Sequence, residues 1–198
     1  MSGYPTDRTY SDRFIPTIRQ IVGPELMVVS NDEEDRTQAT DMTILKAKDM
    51  KIACRVRRPG YLEKYGWQFT VRSKRDSGAE TELSKIVKGW GDWMFYAFAK
   101  PDGSIAFDRW FLINLAHWRC HMMRRELRPI RGETPNGDGT YFAWFDIRSF
   151  APTPRIWIAA SEDVPTVSDE EVRKFWRVQE FSPERPARQL LARTGLRL

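Results

Sequence analysis

Cysteine is scarce in this chain, which has only Cys54 and Cys120 among its 198 residues. Two cysteines cannot form the disulfide framework of a small secreted protein, so we expect a reducing compartment. The first eight residues are polar and lack the apolar segment of a signal peptide, and no run approaches the roughly 20 apolar residues of a membrane span. The sequence therefore predicts a cytoplasmic protein that does not enter a membrane.

The motifs of several large enzyme classes are also missing. The chain has no GxxxxGK[ST] phosphate loop, no GxGxxG after a strand, no GxSxG elbow and no CxxC pair. These absences disfavour nucleotide hydrolysis, dinucleotide redox chemistry and serine hydrolysis. The only histidines, His117 and His121, have the i,i+4 spacing of a zinc site. No glutamate follows His117 as in HExxH, so we interpret both as packing or surface residues.

Apolar residues and positive charge are, by contrast, well supplied. Hydrophobic residues make up 41% of the chain and aromatic residues 13%, with eight tryptophans, which favours one folded globule with a real core. The net charge is +5 and the isoelectric point is about 9.3. A basic protein of this kind favours a polyanionic partner, although the local distribution of charge is more informative than the total.

Hydrophobic periodicity predicts a mixed α/β (α+β) fold with a central mixed sheet and flanking helices. The predicted helices span residues 11–22, 81–88, 108–125 and 168–181. The predicted strands span residues 26–29, 42–45, 52–56, 67–72, 93–99, 141–150 and 155–160. Residues 129–139 read as a polar loop, and the last two strands as a hairpin around Pro152 and Pro154. We expect a core domain in residues 1–128 and a C-terminal extension of hairpin and helices, packed on that core, in residues 129–198.

The charge pattern changes sign between residues 31 and 75. The acidic run 32–35 precedes a strand-like segment, 39–45, that contains Asp41. A basic stretch follows, in which Asp49 and Glu63 are the only acidic residues up to Arg75. Its cations are Lys46, Lys48, Lys51, Arg55, Arg57, Arg58, Lys64, Arg72, Lys74 and Arg75. A carboxylate beside a dense cationic surface is what metal-assisted phosphodiester chemistry needs. Nucleic acid, with DNA first, is therefore the predicted partner.

Residues 39–45 and 52–58 resemble the two active-site strands of the PD-(D/E)XK nuclease superfamily. The nearest similarity is to archaeal Holliday junction resolvases, and residues 36–99 also look like uncharacterised phage-type members. The resemblance covers roughly residues 11–125. It implies a restriction-endonuclease-like core, with the Asp41 strand opposite the basic strand. It also implies one or two Mg²⁺ (or Mn²⁺) ions at Asp41 that activate water for attack on a phosphodiester.

The second strand departs from the family pattern. Where the family has Glu-x-Lys, this chain has Cys54-Arg55-Val56 or Arg55-Val56-Arg57, and neither supplies a second metal carboxylate. Some members carry that acid on the following helix, which points to Glu82 as the metal partner of Asp41. Lys85 or Arg72 then replaces the missing lysine, Asp35 is a further metal candidate, and Gln68 is an uncharged stand-in for the acid. The alternative is that Glu82 only complements the helix dipole and Lys85 is solvated.

Three functions follow from these residues. The first is a Mg²⁺-dependent DNA endonuclease, resolvase-like, whose phosphates are held by Arg55, Arg57, Arg58, Lys74 and Arg75. The second is a degenerate nuclease fold that binds nucleic acid or a protein machine without turnover, as the arginines at the Glu-x-Lys position suggest. The third is a protein-interaction module, such as a phage inhibitor, that docks its partner through the aromatic segment 141–145. The strand at Trp157 or the C-terminal helices are candidates for forming a homodimer.

Overall fold

The computed structural model describes residues 9–29, 42–44, 50–124 and 128–181. Its helices are α1 (Ile15–Val22), α2 (Leu62–Tyr65), α3 (Glu82–Val87), α4 (Leu115–Met123) and α5 (Asp169–Phe181). Its strands are β1 (Met27–Val29), β2 (Met42–Ile44), β3 (Ile52–Arg57), β4 (Gln68–Arg75), β5 (Trp93–Ala99), β6 (Phe107–Asn114), β7 (Arg131–Pro135), β8 (Thr140–Asp146) and β9 (Trp157–Ala160). Short 3-10 helices occupy Gly23–Leu26 and Ile147–Ser149. The predicted mixed α/β (α+β) class is confirmed.

The chain folds as two compact units, each assembled from several segments. The first unit takes Met1–Lys64, Gly91–Asn114 and Trp157–Glu162, and the second takes Tyr65–Trp90, Leu115–Ile156 and Asp163–Leu198. The boundary expected after residue 128 lies inside the second unit, within Leu115–Ile156. No helix in the described ranges is long and apolar enough to cross a membrane.

The first unit is built around a mixed sheet with strand order β3-β5-β6-β9. Strands β3 and β5 run parallel, while β5–β6 and β6–β9 are antiparallel. Every residue of β5 is buried, which explains its uninterrupted apolar sequence. Helix α1 lays Ile18 and Val22 against Phe95 and Leu112 of the sheet, and this contact forms the core of the unit. Pro16 lies at the start of α1, where its missing N–H costs no hydrogen bond.

The Asp41 strand does not lie opposite the basic strand in the described residues. Strand β2, which follows Asp41, pairs with β1 in an antiparallel two-stranded sheet, whereas β3 pairs with β5. The two strands compared with the nuclease active site therefore belong to different sheets. In the described residues, the two strands are therefore not paired neighbours within one sheet.

The helix predicted over residues 108–125 is also wrong in its first half. Residues 107–114 form β6, which pairs antiparallel with β5 from Trp93↔Asn114 to Ala99↔Phe107, and the helix begins only at Leu115. The turn before β6 reverses the chain, because Asp102 accepts a bond from the Ser104 N–H at 2.9 Å and Gly103 has φ +79°. Strand pairing buries Phe111, Leu112 and Ile113 completely, so tertiary contacts override the helical spacing.

The second unit holds an antiparallel sheet of order β4-β8-β7. Two sequence predictions fail here. Residues 131–135, expected in a polar loop, form β7, and the 136–139 segment is the turn that joins it to β8. Strand β8 does not pair with β9 around Pro152 and Pro154, because β8 lies between β4 and β7 while β9 pairs with β6. The C-terminal hairpin therefore exists, but one strand earlier than predicted.

Candidate nucleic-acid interface

A cluster of arginine and tyrosine side chains lies at the end of β3 in the first unit. Strand alternation places Ile52, Cys54 and Val56 against the core, so Arg55 and Arg57 lie on the other face of the strand. After Arg58, the turn at Pro59-Gly60, with φ +89° at Gly60, reverses the chain. That reversal places the Arg57 guanidinium 4.3 Å from the ring centroid of Tyr61, which is 39% exposed.

Tyr10 is contacted by two guanidinium groups of the same cluster. Arg58 lies 4.7 Å and Arg13 lies 4.5 Å from the Tyr10 ring centroid. Arg13 is also 4.6 Å from the ring of Phe14, which anchors this segment in the core. We call Arg13, Arg57, Arg58, Tyr10 and Tyr61 the arginine–tyrosine cluster. It holds three positive charges beside two aromatic rings.

Two further cation–aromatic pairs lie across strands β4 and β8 of the second unit. Arg72 is opposite Phe142, with its guanidinium 5.5 Å from the ring centroid. Lys74 is opposite Tyr141, with Nζ 4.5 Å from the ring. The register shifts between Arg72 and Lys74, so the two pairs are neighbours along the ladder. Lys74 also contacts Asp76 at 3.6 Å, an exposed ion pair of small energetic value.

Three of the five cations predicted to hold phosphates therefore lie over aromatic rings, namely Arg57, Arg58 and Lys74. The other two are half-buried strand residues: Arg55 is opposite Tyr96, and Arg75 is opposite Thr140. The rings that these cations contact were not predicted from the sequence. The contact with Tyr61 was predictable, since Tyr61 follows Arg57 by four residues across a Pro-Gly turn. Tyr10 and Tyr141 are distant in sequence from the cations that they contact.

The carboxylate of Glu82 takes part in covering an exposed sheet edge. Oε2 of Glu82 accepts a hydrogen bond from the backbone N–H of Arg72 at 3.1 Å. The Thr81 hydroxyl donates to the Ser73 carbonyl at 3.3 Å and accepts from the Ser84 N–H at 3.2 Å as the N-cap of α3. Helix α3 thus supplies partners to the outer edge of β4, where unpaired backbone groups would otherwise invite another strand.

The described residues do not include the whole magnesium site that the resemblance implies. Among them, no three His, Cys, Asp or Glu side chains come together as a metal-binding group. Of the predicted metal ligands, Asp35 and Asp41 lie outside the described residues, and Glu82 bonds to the backbone of β4. Lys85 is exposed on α3, and Arg72 stacks on Phe142. The catalytic roles of these residues stay predictions.

The two histidines of α4 form hydrogen bonds with backbone carbonyls of one loop. Nδ1 of His117 lies 2.8 Å from the Arg155 carbonyl, and Nε2 of His121 lies 2.6 Å from the Pro154 carbonyl. Arg124 donates to the neighbouring Thr153 carbonyl at 2.9 Å. Since a carbonyl can only accept, each of these ring nitrogens carries a proton. His121 is 3% exposed and packs edge-on against Phe150, as expected of a packing histidine.

Burial of His121 predicts a loss of stability in mild acid. Desolvation lowers the pKa of His121 below its ordinary value, and the positive charges of Arg124 and His117 lower it further, against the raising effect of the Pro154 bond. The unfolded chain then binds this proton at a higher pH than the folded protein. Stability is therefore full above about pH 6.5 and falls as the pH drops below it.

Urea unfolding of wild type and His121→Phe between about pH 7.5 and about pH 5.5 tests this expectation. The free energy of unfolding should fall with decreasing pH in wild type and be flatter in the variant. Equal slopes in the two proteins would contradict it. The range stops short of the region where carboxylates with lowered pKa values, such as Glu171 and Asp138, take up protons.

Comparison with known proteins identifies no relative: no family model, no curated protein and no solved structure matches this chain.

Proposed function

We propose that this protein binds nucleic acid, with the arginine–tyrosine cluster and the Lys74–Tyr141 and Arg72–Phe142 pairs as contact surfaces. The observation that carries the proposal is the stacking of Arg57, Arg58 and Lys74 on aromatic rings. Cations beside aromatic faces are what nucleic-acid-binding surfaces combine, because guanidinium and ammonium groups bind phosphates and rings stack on bases. Of the three functions predicted from the sequence, binding without turnover is the one that these contacts support best.

Cation–aromatic contacts also stabilise folded proteins in the absence of any ligand, by about 0.5–1 kcal/mol at exposed sites. A purely structural role therefore has to be separated from binding. Because Arg57 and Arg58 are adjacent and lie over different rings, one double substitution removes two of the three charges of the cluster. Its effect on binding is then compared with its effect on the free energy of unfolding, which a purely structural role would change alone.

The variant Arg57→Ala plus Arg58→Ala is expected to weaken binding of a labelled single-stranded oligonucleotide roughly 10-fold to 100-fold at low salt, because two phosphate contacts are lost. The measurement is fluorescence anisotropy. The matched control is Arg173→Ala plus Lys174→Ala, which removes the same charge from exposed positions of α5 and should change the affinity less than threefold, the size of a nonspecific charge effect. Equal weakening by both variants would show that only net charge matters.

A parallel experiment measures cleavage of single-stranded, duplex and branched DNA in the presence of Mg²⁺ or Mn²⁺. Cleavage that is lost in both Asp41→Ala and Glu82→Ala would support the nuclease that the resemblance implies. Binding without cleavage would support a degenerate core. If wild type has no affinity for any of these nucleic acids at low salt, the protein-interaction module becomes the better hypothesis. Its docking surface is then the Tyr141 and Phe142 end of the 141–145 segment, because Phe145 is buried against Phe69.

A further inference from the structure

Arg131 is a half-buried arginine at the start of β7 in the second unit. It lies opposite Phe145 of β8, which is 2% exposed. Among the described residues, no carboxylate forms an ion pair with Arg131. Charges that leave water are normally paired, and an arginine cannot avoid the cost by losing its proton. A half-buried guanidinium without an acidic partner is therefore a candidate site for an external anion.

The charge that acts on Arg131 from nearby is another cation, Arg128. Desolvation lowers the pKa of Arg131 below its ordinary value, and the positive charge of Arg128 lowers it further. Arg148 shows the opposite arrangement, because its hydrogen bond to the Asp146 carboxylate raises its pKa. Arg128 is exposed. Arg128 and Arg131 thus place two like charges together, one at the surface and one half-buried.

Hydrogen bonds fix the backbone that carries the two arginines. The Arg128 carbonyl accepts from Nε1 of Trp176 at 3.0 Å. The Ile130 N–H donates to the Ser149 hydroxyl at 2.8 Å, and the Ile130 carbonyl accepts from the Asp146 N–H at 2.9 Å. The backbone therefore cannot easily move apart to relieve the repulsion. Two cations held in this way are preorganised for an anion that contacts both.

We propose that Arg128 and Arg131 bind a phosphate monoester. Guanidinium groups bind phosphate oxygens through paired, charge-assisted hydrogen bonds. Two such groups match the charge of about −1.5 to −2 on a phosphate monoester better than the single charge of a carboxylate. The phosphate is either that of a free compound or the terminal phosphate of a nucleic-acid strand. This site goes beyond the proposed function, because its residues lie in the second unit and the arginine–tyrosine cluster lies in the first.

Inorganic phosphate is the first probe, and thermal unfolding of the whole chain is the measurement. A ligand that binds only the folded protein raises the unfolding midpoint. At a phosphate concentration about tenfold above the dissociation constant, the midpoint of wild type should rise by roughly 3–5 °C. The reference is sodium chloride of equal ionic strength, which screens the two like charges to the same extent.

Arg131→Met and Arg128→Ala should each lose most of this rise, whereas Arg173→Met should keep it. Arg173 is an exposed arginine of α5 that pairs with Asp169, so this control removes the same charge elsewhere. In sodium chloride alone, Arg131→Met should unfold at a higher temperature than wild type, since an apolar chain replaces a desolvated charge. An equal rise in wild type and in both site variants would overturn the site. A lower midpoint of Arg131→Met in sodium chloride would also overturn it, by showing that the folded chain itself stabilises the guanidinium.

Single-stranded oligonucleotides with and without a terminal phosphate identify the source of the phosphate. If it is a strand end, wild type should bind the phosphorylated strand on the order of tenfold more tightly. Arg128→Ala should remove that difference. Equal affinities, together with the midpoint rise in inorganic phosphate, would keep the site and assign it to a free phosphate compound. Failure of wild type to bind either strand would remove the proposed function and leave the phosphate site supported by the midpoint rise.

Discussion

Replacing Asp146 with alanine is expected to lower the free energy of unfolding by about 3 kcal/mol. The Asp146 side chain is 7% exposed, and its carboxylate accepts three hydrogen bonds from Arg148. Oδ1 accepts from the backbone N–H and from Nε at 3.0 Å each, and Oδ2 accepts from the terminal guanidinium nitrogen at 2.7 Å. It is also the N-cap of the 3-10 helix Ile147–Ser149. Alanine removes the cap and the partner of the guanidinium together.

The size of this loss is limited by the solvent exposure of Arg148. Its side chain is 34% exposed and can be partly hydrated when the carboxylate is absent, so the loss should stay at the lower end of the roughly 3–5 kcal/mol typical of fully buried pairs. Asp146→Asn keeps an acceptor for the cap and should lose about half as much. The carboxylate also raises the pKa of Arg148, mainly through the side-chain hydrogen bond.

Urea denaturation measures the effect, with Asp163→Ala, at an exposed loop position, as the control. The control should stay within about 0.5 kcal/mol of wild type. A double-mutant cycle with Arg148→Ala isolates the pair from the cap. A change in Asp146→Ala no larger than that in the control would contradict the structural role assigned to this carboxylate.

Replacing Gly132 with alanine is expected to destabilise the second unit by about 1–3 kcal/mol. The indole of Trp144 lies across Gly132 in the neighbouring strand, so that an added Cβ would sit 2.6 Å from Cζ2 and 2.7 Å from Cε2. The ring cannot simply move away, because Phe175 of α5 packs edge-on against it at 6.2 Å between centroids. The clash therefore has to be relieved by shifting β7, the indole or the helix.

The sign of this effect is informative because alanine normally stabilises a strand position relative to glycine, by roughly 0.5–1 kcal/mol. Gly23→Ala is the matched control, since an added Cβ there meets nothing within 4 Å and the backbone is right-handed with φ −52°. Thermal denaturation should show a lower midpoint for Gly132→Ala and an unchanged or slightly higher one for Gly23→Ala. A midpoint at or above that of wild type for Gly132→Ala would contradict the packing described for Trp144.

Elements with a strong local signal were predictable from the sequence. The apolar run of β5 and the capping box of α5 were placed correctly, and in the box the Ser168 hydroxyl donates to Glu171 at 2.8 Å and accepts from the Glu171 N–H at 3.3 Å. Strand β6 was missed because its apolar residues also fit a helical spacing, and only pairing with β5 decides between the two. Strand β7 was missed because Arg131, Gly132 and Glu133 carry no strand pattern of their own.

The cations of the candidate site were predictable from the sequence, but the aromatic rings that they contact were not. The run of cations identified Arg57, Arg58 and Lys74 from sequence alone, since charge density needs no knowledge of the fold. The rings beside Arg58 and Lys74 come from distant segments, at Tyr10 and Tyr141, so they required the tertiary structure. Glu82 was singled out as a carboxylate on α3, but its bond to the Arg72 N–H depends on the helix lying along the edge of β4.

The central claim is that the arginine–tyrosine cluster binds phosphates, and the salt dependence of single-strand binding tests it most directly. The logarithm of the affinity of wild type should fall linearly with the logarithm of salt concentration, with a slope of about 0.7 for each phosphate contact. The Arg57→Ala plus Arg58→Ala variant should lose about 1.4 from that slope, because two contacts are removed. A slope unchanged in the double variant, or no measurable binding by wild type at low salt, would contradict the account.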